Sequence, residues 1–230
     1  MTLFEEIYNW IVYTGGICPT SDNHFGGPPG VTSELNLIIQ QRPGELASCI
    51  EFFMHKKIAG EHLEYYAEIG ACAGGTTRSM YNFLKFKELL IIDDNGAENE
   101  FFYVHQRGDL NRSHNLRDIP KIEVIGSSAE QRVIFSALDI SKKQQYDILF
   151  IDGDHSYDGV KGDTINYLPI VRKGGYLVFH DTAHVGDIIR WLDEIPMTLP
   201  NLQQVARFHQ ADYYTSEYPS GIGLSVFQKT

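Results

Sequence analysis

The rhythm of hydrophobic positions changes near residue 60. Before it, Leu3, Phe4, Ile7, Tyr8 and Ile11 recur at helical spacing and predict a short amphipathic helix. Two more helical stretches are predicted near Thr32–Gln40 and Gly44–Ile58, with Thr32 or Ser33 as the N-cap of the first. Asn23-His24-Phe25-Gly26-Gly27-Pro28-Pro29-Gly30 breaks any regular structure ahead of them. From Glu64 onward the pattern becomes one of short apolar runs alternating with helical stretches. Predicted strands are Tyr65–Ile69, Leu89–Asp93, Ile122–Ile125, Asp147–Ile151, Tyr176–Phe179, Gln204–Phe208 and Gly223–Phe227. The first five are nearly continuous apolar runs, as in a parallel sheet covered by helices on both faces.

Helices are predicted between these strands near Thr76–Phe86, Ala129–Leu138, Tyr157–Val171 and Val185–Glu194. This alternation argues for a doubly wound α/β domain. The last two strands are joined only by the short link Asp212–Gly221. A parallel crossover needs a dozen or more residues, so these strands are read as antiparallel. The chain is therefore divided into a helical N-terminal extension, residues 1–60, and an α/β domain, residues 61–230.

Composition narrows the function classes. A hydrophobic fraction of 43% and a charged fraction of 21% describe a globular chain. With 19 basic and 30 acidic residues the net charge is −11. That is a poor surface for nucleic acid or anionic membranes, whose binding rests on Lys and Arg. No apolar run approaches the ~18 residues of a membrane helix. Glu5 and Glu6 stand where a signal peptide would carry basic residues. Cys18, Cys49 and Cys72 show no CxxC spacing, which fits free thiols in a reducing cytoplasm better than disulfides or zinc.

Candidate chemistry begins at Glu68-Ile69-Gly70-Ala71-Cys72-Ala73-Gly74-Gly75-Thr76, where the first strand ends and a helix opens. Ligands of such sheets bind at the carboxyl ends of strands. A phosphate-binding P-loop would need Lys after its second Gly, and Thr76-Thr77 follow Gly75 instead. The dinucleotide pattern G-x-G-x-x-G fails at Cys72. An acid-x-Gly-x-x-x-Gly loop remains, suited to S-adenosylmethionine, a cationic cofactor without phosphate. A tight turn that holds no ligand is the plainer reading of the same residues. Asp93 ends the second strand, where ribose hydroxyls are typically held. Ser127 and Ser128 end the third, placed to meet an adenine edge. Ser127 with Glu130 also reads as a helix capping box.

A second cluster is formed by Ile151-Asp152-Gly153-Asp154-His155-Ser156-Tyr157 and Phe179-His180-Asp181-Thr182, the ends of the fourth and fifth strands. Asp152 and Asp181 are oxygen ligands suited to a hard divalent cation. His180 is a third ligand if the chain has already left the strand, since adjacent strand residues face opposite ways. A His ligand moves the preference from Mg2+ towards Mn2+, and Thr182 is the oxygen alternative. His155 titrates near neutrality and is the candidate general base. A lone His at a turn is more often structural, and strand-tip acids often only cap helices.

Taken together, Glu68–Gly75, Asp93, Ser128, Asp152-Gly153-Asp154-His155-Ser156-Tyr157, Gly174-Gly175 and His180-Asp181-Thr182 resemble class I S-adenosylmethionine-dependent methyltransferases. Within that class the chain is similar to the macrolide-sugar O-methyltransferase and cephalosporin-hydroxylase-like branch (methyltransferase family 24). The resemblance covers roughly Gln40 to Thr182 and, more weakly, the final strands. It implies a Rossmann-like seven-stranded sheet with a reversed last strand, and helices on both faces. It also implies that Glu68, Gly70 and Gly74 line the methionine part of the cofactor, with Ala71 among the cofactor-binding residues. Asp93 would hold ribose, Ser128 would sit at adenine, and Asp152 would face the cofactor. Asp152 and Asp181, with His180, match the metal site, and His155 matches the base, with Asp152 beside it in the catalytic set. His180 stands where sugar O-methyltransferases usually have Glu, and Cys72 where many members have Gly. Members often form homo-oligomers through helical extensions, so residues 1–60 are assigned to that role or to a lid.

The expected function is thus methyl transfer to a hydroxyl of a small molecule. Its acceptor pocket would be built from His24–Gly30, His184 and Tyr213-Tyr214. Two alternatives are a nicotinamide-dependent oxidoreductase and a non-catalytic nucleotide-binding relative on the same sheet. Sugar, polyketide, phenolic and amine acceptors all fit the sequence.

Overall fold

The computed structural model describes residues 1–14, 41–95, 108–209 and 222–230. The helix predicted at Thr32–Gln40, the loop at His24–Gly30 and the Asp212–Gly221 link lie outside the described residues. Seven strands form one sheet: β1 (Tyr65–Ile69), β2 (Glu88–Asp93), β3 (Lys121–Ile125), β4 (Tyr146–Ile151), β5 (Val171–Phe179), β6 (Leu202–Phe208) and β7 (Leu224–Lys229). Their order across the sheet is β3-β2-β1-β4-β5-β7-β6. The first five run parallel, and β7 pairs antiparallel with both β5 and β6. This is the Rossmann-like α/β architecture with a reversed last strand. The strand order reverses between β1 and β4, and ligands of open α/β sheets bind at such a switch point.

Seven helices are described: α1 (Leu3–Thr14), α2 (Pro43–Ile58), α3 (Gly75–Leu84), α4 (Gly108–Asn115), α5 (Gln131–Ser141), α6 (Tyr157–Tyr167) and α7 (Gly186–Thr198). Side chains alternate along the central strands because the pleat has a period of two. Tyr66, Leu89, Ile91, Ile148 and Phe150 point into the core beneath α1, α2 and α3. Ala67, Leu90, Ile92, Leu149 and Ile151 point into the core beneath α5, α6 and α7. The sheet is thus buried on both faces, with β3 and β6 half-exposed at its edges.

Several boundaries differ from the sequence reading for identifiable reasons. Strand β5 begins at Val171 rather than Tyr176, because Lys173-Gly174-Gly175 continues it through an irregularity opposite Tyr146 and Ile148. Gly174 takes the left-handed φ of +77° there, a conformation open to glycine without a Cβ penalty. Helix α5 starts at Gln131 rather than Ala129, so Ser127 and Glu130 cap a turn ahead of the helix: Ser127 N–H donates to Glu130 Oε1 at 3.0 Å. Helix α4 was not predicted at all. Its sequence, Gly108–Asn115, is polar and carries no apolar period.

Helix α2 belongs to the extension by sequence, yet Leu46, Ala47, Cys49, Ile50 and Phe53 are fully buried in the same core as β1 and β5. Phe53 packs edge-on against Tyr176 of β5, ring centroids 5.3 Å apart. Phe53→Ala is therefore expected to cost about 3–5 kcal/mol of folding stability. Equilibrium urea denaturation checks this. A loss below about 1 kcal/mol would show that α2 is dispensable to the core.

Candidate active site

The glycine loop lies where β1 ends and α3 begins. β1 pairs with β2 on one side and β4 on the other, and their tips stay bonded: Gly70 N–H donates to Ile92 O at 2.9 Å and Asp152 N–H to Ile69 O at 3.0 Å. Gly70 has a φ of +82°, and a Cβ placed on it would overlap the carbonyl of Asp152. Gly74 (φ +78°) is the N-cap of α3, and a Cβ there would press on Leu116 and Arg112. Both positions require glycine for shape as well as for backbone conformation. Ala71 between them is buried.

Glu68 sits beneath this loop, fully buried. Tyr66 Oη donates to its Oε2 at 2.7 Å and Thr77 Oγ1 at 2.6 Å. Burial dominates these bonds and pushes the Glu68 carboxyl up to about 7, with the charges of Asp152 and Asp93 adding to the shift. Asp93, at the tip of β2, is held differently. Its Oδ2 accepts Cys72 N–H at 2.8 Å, and its Oδ1 accepts Asn95 N–H at 2.7 Å and meets the Arg112 guanidinium at 3.0 Å. These three donors leave part of the carboxylate's roughly four lone-pair sites available. Arg112 comes from α4 and is itself buried; it also donates to Cys72 O at 2.8 Å, while Asn115 Nδ2 donates to Ala73 O at 2.9 Å. The unpredicted helix thus fixes two carbonyls of the glycine loop.

The tips of β4 and β5 converge next to this loop. Strand β5 ends at Phe179, and Asp181 adopts a left-handed φ of +59°, which Asp tolerates better than most residues. The turn brings His180 and Asp181 to the same place. His180 Nδ1 lies 3.1 Å from Asp152 Oδ1 and 2.7 Å from Asp181 Oδ2. His155 Nε2 lies 3.4 Å and 3.1 Å from the same two oxygens. His184 Nε2 meets the other oxygen of Asp181 at 3.3 Å. The two acids and His180 are nearly closed to solvent, while the His155 side chain remains 47% exposed at the mouth.

Electrostatics follow from this packing. Burial opposes the charge of Asp152, but the imidazoles of His180 and His155 outweigh it and hold the carboxyl at about 2. His155 is raised above 6.5, first by its bond to Asp152, against burial, and further by the charge of Asp181. Burial also works against charging His180, and the two carboxylates overcome it to lift the imidazole well above 6.5. One ligand atom each from Asp152, His155 and Asp181 lies within 4.8 Å of the others, a set of two hard oxygens and one imidazole. That donor chemistry fits a divalent cation of the Mg2+ to Mn2+ kind.

The structure brings together Glu68, Gly70, Ala71, Gly74, Asp93, Asp152, His155, His180 and Asp181 around one edge of the sheet. Ser128 lies on the β3–α5 loop; its carbonyl accepts Tyr167 Oη at 2.8 Å, and its hydroxyl bonds Asp163. Thr182 turns to Ser225 and His209, each 3.0 Å from its hydroxyl, instead of joining the acids. Tyr213 and Tyr214 lie outside the described residues. The sequence reading missed Arg112, Asn115 and Gln41. Gln41 is buried with its amide against Asp152. No motif marks any of the three, since each stands alone in a polar stretch.

The methyltransferase-domain family matches residues 67–182, from β1 to just past Asp181. The chain is also 32% identical over 152 residues to an uncharacterized protein, R132, of Acanthamoeba polyphaga mimivirus, covering 65% of this chain. The match spans 62% of that relative's length. Among solved structures, the O-methyltransferase NovP superimposes with a TM-score of 0.59 at 13% identity, covering 99% of this chain and 98% of that one. The N-methyltransferase NodS from Bradyrhizobium japonicum, crystallised with S-adenosyl-L-homocysteine, gives 0.52 at 16%, covering 79% and 86%. At these identities the structural likeness is one of fold. No helix among the described residues is long and apolar enough to cross a membrane.

Two outcomes are expected from the loop. Gly70→Ala should abolish binding of any ligand that touches the loop, because the methyl group displaces the Asp152 carbonyl; calorimetry reads this. Glu68 keeps its proton in the folded chain between 4.5 and about 7, where the unfolded chain has released it. Its contribution is therefore full below pH 4.5 and declines as pH rises through 7, by on the order of 3 kcal/mol. Glu68→Gln should remove that decline. Parallel stability–pH curves for the two proteins in urea would contradict it.

Proposed function

The chain belongs to the methyltransferase-domain family, and on that basis we propose that it transfers the methyl group of S-adenosylmethionine to a hydroxyl of a small acceptor. The supporting observation is the convergence of two buried acids and two imidazoles beside the glycine loop. A bound S-adenosylmethionine supplies a methyl group activated on a cationic sulfur. Gly70 and Gly74 leave the backbone open to its methionine part, Asp152 sets negative charge towards it, and Glu68, protonated up to about 7, lines the floor beneath the loop as a hydrogen-bonding group. Asp93, oriented by Arg112, keeps acceptor capacity for ribose hydroxyls. Ser128 stands at the strand tip expected to meet adenine.

Asp152 and Asp181 would hold a divalent cation, which when bound acts as a Lewis acid on the acceptor oxygen. His180, whose Nδ1 lies within 3.1 Å of an oxygen of each acid, takes the imidazole place in that set and leaves His155 for the proton. His155 is assigned as the base. Its Nε2 lies against the two carboxylates and its ring stands at the open mouth of the site, where it takes the proton of an acceptor hydroxyl. Deprotonation supplies typically 10²–10⁴-fold, and alignment of acceptor oxygen with methyl carbon supplies much of the rest. Among acceptors, a sugar or natural-product hydroxyl is favoured by the two hard carboxylates, since oxygen donors suit a hard cation better than amines do. The segment just ahead of α2 reaches the acids through Gln41.

Calorimetric titration with S-adenosyl-L-homocysteine tests the first step. Binding of NAD without binding of this product would sink the proposal. His155→Ala should lower methyl transfer about 10²–10⁴-fold while leaving cofactor affinity nearly unchanged. The wild-type rate should rise with pH across the range in which the His155 ring loses its proton; with no cation bound, the neighbouring carboxylates raise that range above 6.5. A rate that is flat across that range, or equal in the His155→Ala variant, would remove His155 from the mechanism.

A further inference from the structure

Asp152 carries the heaviest demand in the site, and one of its oxygens is held from an unexpected direction. Gln41 lies 111 residues earlier in the chain, just ahead of α2, with 3% of its surface exposed. Its Nε2 donates to Asp152 Oδ2 at 3.0 Å. Its Oε1 accepts the hydroxyl of Thr76, in the first turn of α3. The opposite oxygen of Asp152 is the one facing His155 and His180. We propose that Gln41 is a positioning residue, an amide strut that sets the Asp152 carboxylate against the glycine-loop helix and presents its other oxygen to the reacting side.

Three physical points carry this. Both ends of the amide are used, so turning it over would set its carbonyl against a carboxylate; the network itself fixes which end faces Asp152. The amide is neutral, so it orients the carboxylate without cancelling the charge that a sulfonium or a metal ion needs. A Lys or Arg in its place would do the reverse. Finally, a buried carboxylate oxygen stripped of its donor is costly, so the acid would turn to find another partner and take its second oxygen with it. The proposal rests on the reading of Asp152 as a cofactor-facing and cation-holding acid, and it adds the residue that aims it.

The test uses the full chain with Gln41→Met, which keeps the volume and loses both hydrogen bonds. Manganese affinity is read by electron paramagnetic resonance, S-adenosyl-L-homocysteine affinity by calorimetry, and the Asp152 rotamer by crystallography. The expected result is Mn2+ binding weakened about 10- to 100-fold, the loss typical of removing an outer partner of a ligand. Product affinity should stay within about twofold, since the thioether sulfur of the product carries no charge for Asp152 to meet, and the carboxylate should be seen rotated. Should Gln41→Met not fold, Thr76→Val strips only the far brace and should weaken Mn2+ about threefold. Unchanged Mn2+ affinity, or losses of both ligands in step with a lowered Tm, would overturn the proposal, the second by reducing Gln41 to a packing residue. Should the wild type bind no Mn2+, the metal reading fails by itself. The rotamer then decides: Asp152 unmoved in Gln41→Met ends the strut, and Asp152 turned away upholds it.

Discussion

Gly70 lies so close to the carbonyl of Asp152 that a methyl group on it would overlap that oxygen. This contact follows from adjacent parallel strands, β1 and β4, whose tips remain bonded beyond the ends of the ladder. It joins the two halves of the site. The glycine loop and the acid–histidine cluster come from segments some eighty residues apart, and only this approach makes them one cleft. The order of strands puts the reversal in direction of winding at the same point, where helices diverge and leave the sheet edge open.

Into that edge the fold concentrates acids from four strand tips: Glu68, Asp93, Asp152 and Asp181. Like charges brought together in a dry site resist ionisation, and each acid is accommodated by different means. Glu68 keeps its proton near neutrality and accepts two hydroxyls. Asp93 is answered by a guanidinium that does not titrate. Asp152 and Asp181 are answered by imidazoles, whose charge is removable. The one pair of acids with a displaceable countercharge is therefore the pair on the side assigned to the acceptor. A bound cation and two imidazolium rings would compete for the same carboxylates.

Much of this was legible in the sequence, and the reasons it failed elsewhere are physical. The central strands were readable because burial on both faces leaves continuous apolar runs, as in Tyr146–Ile151, where every residue is buried. The glycine loop and the Asp152–His155 turn were readable because backbone shape and chemistry restrict the residue types there. The convergence of His180 with Asp181 was conditional on the chain leaving the strand, and the left-handed Asp181 meets that condition. Helix α4 was invisible because it contributes buried polar groups, Arg112 and Asn115, instead of an apolar stripe. Gln41 was invisible for a related reason: a hydrogen bond across 111 residues leaves no local pattern.

The reversed strand has a further consequence, for the order in which the molecule is assembled. β7 is the last strand in sequence, but it lies inside the sheet between β5 and β6. The turn that carries Asp181 leans on the residues just before it: Thr182 N–H donates to Gly223 O at 3.2 Å and Ala183 N–H to Ile222 O at 2.8 Å, while Gly223 N–H reaches Glu45 of α2 at 2.9 Å. A chain made only as far as β6 holds the glycine loop and the acid–histidine cluster, yet has nothing to close that wall. That wall is completed only when β7 pairs with β5 on one side and β6 on the other. Until then the chain exposes an unpaired β5 edge, the kind of template that recruits neighbouring chains.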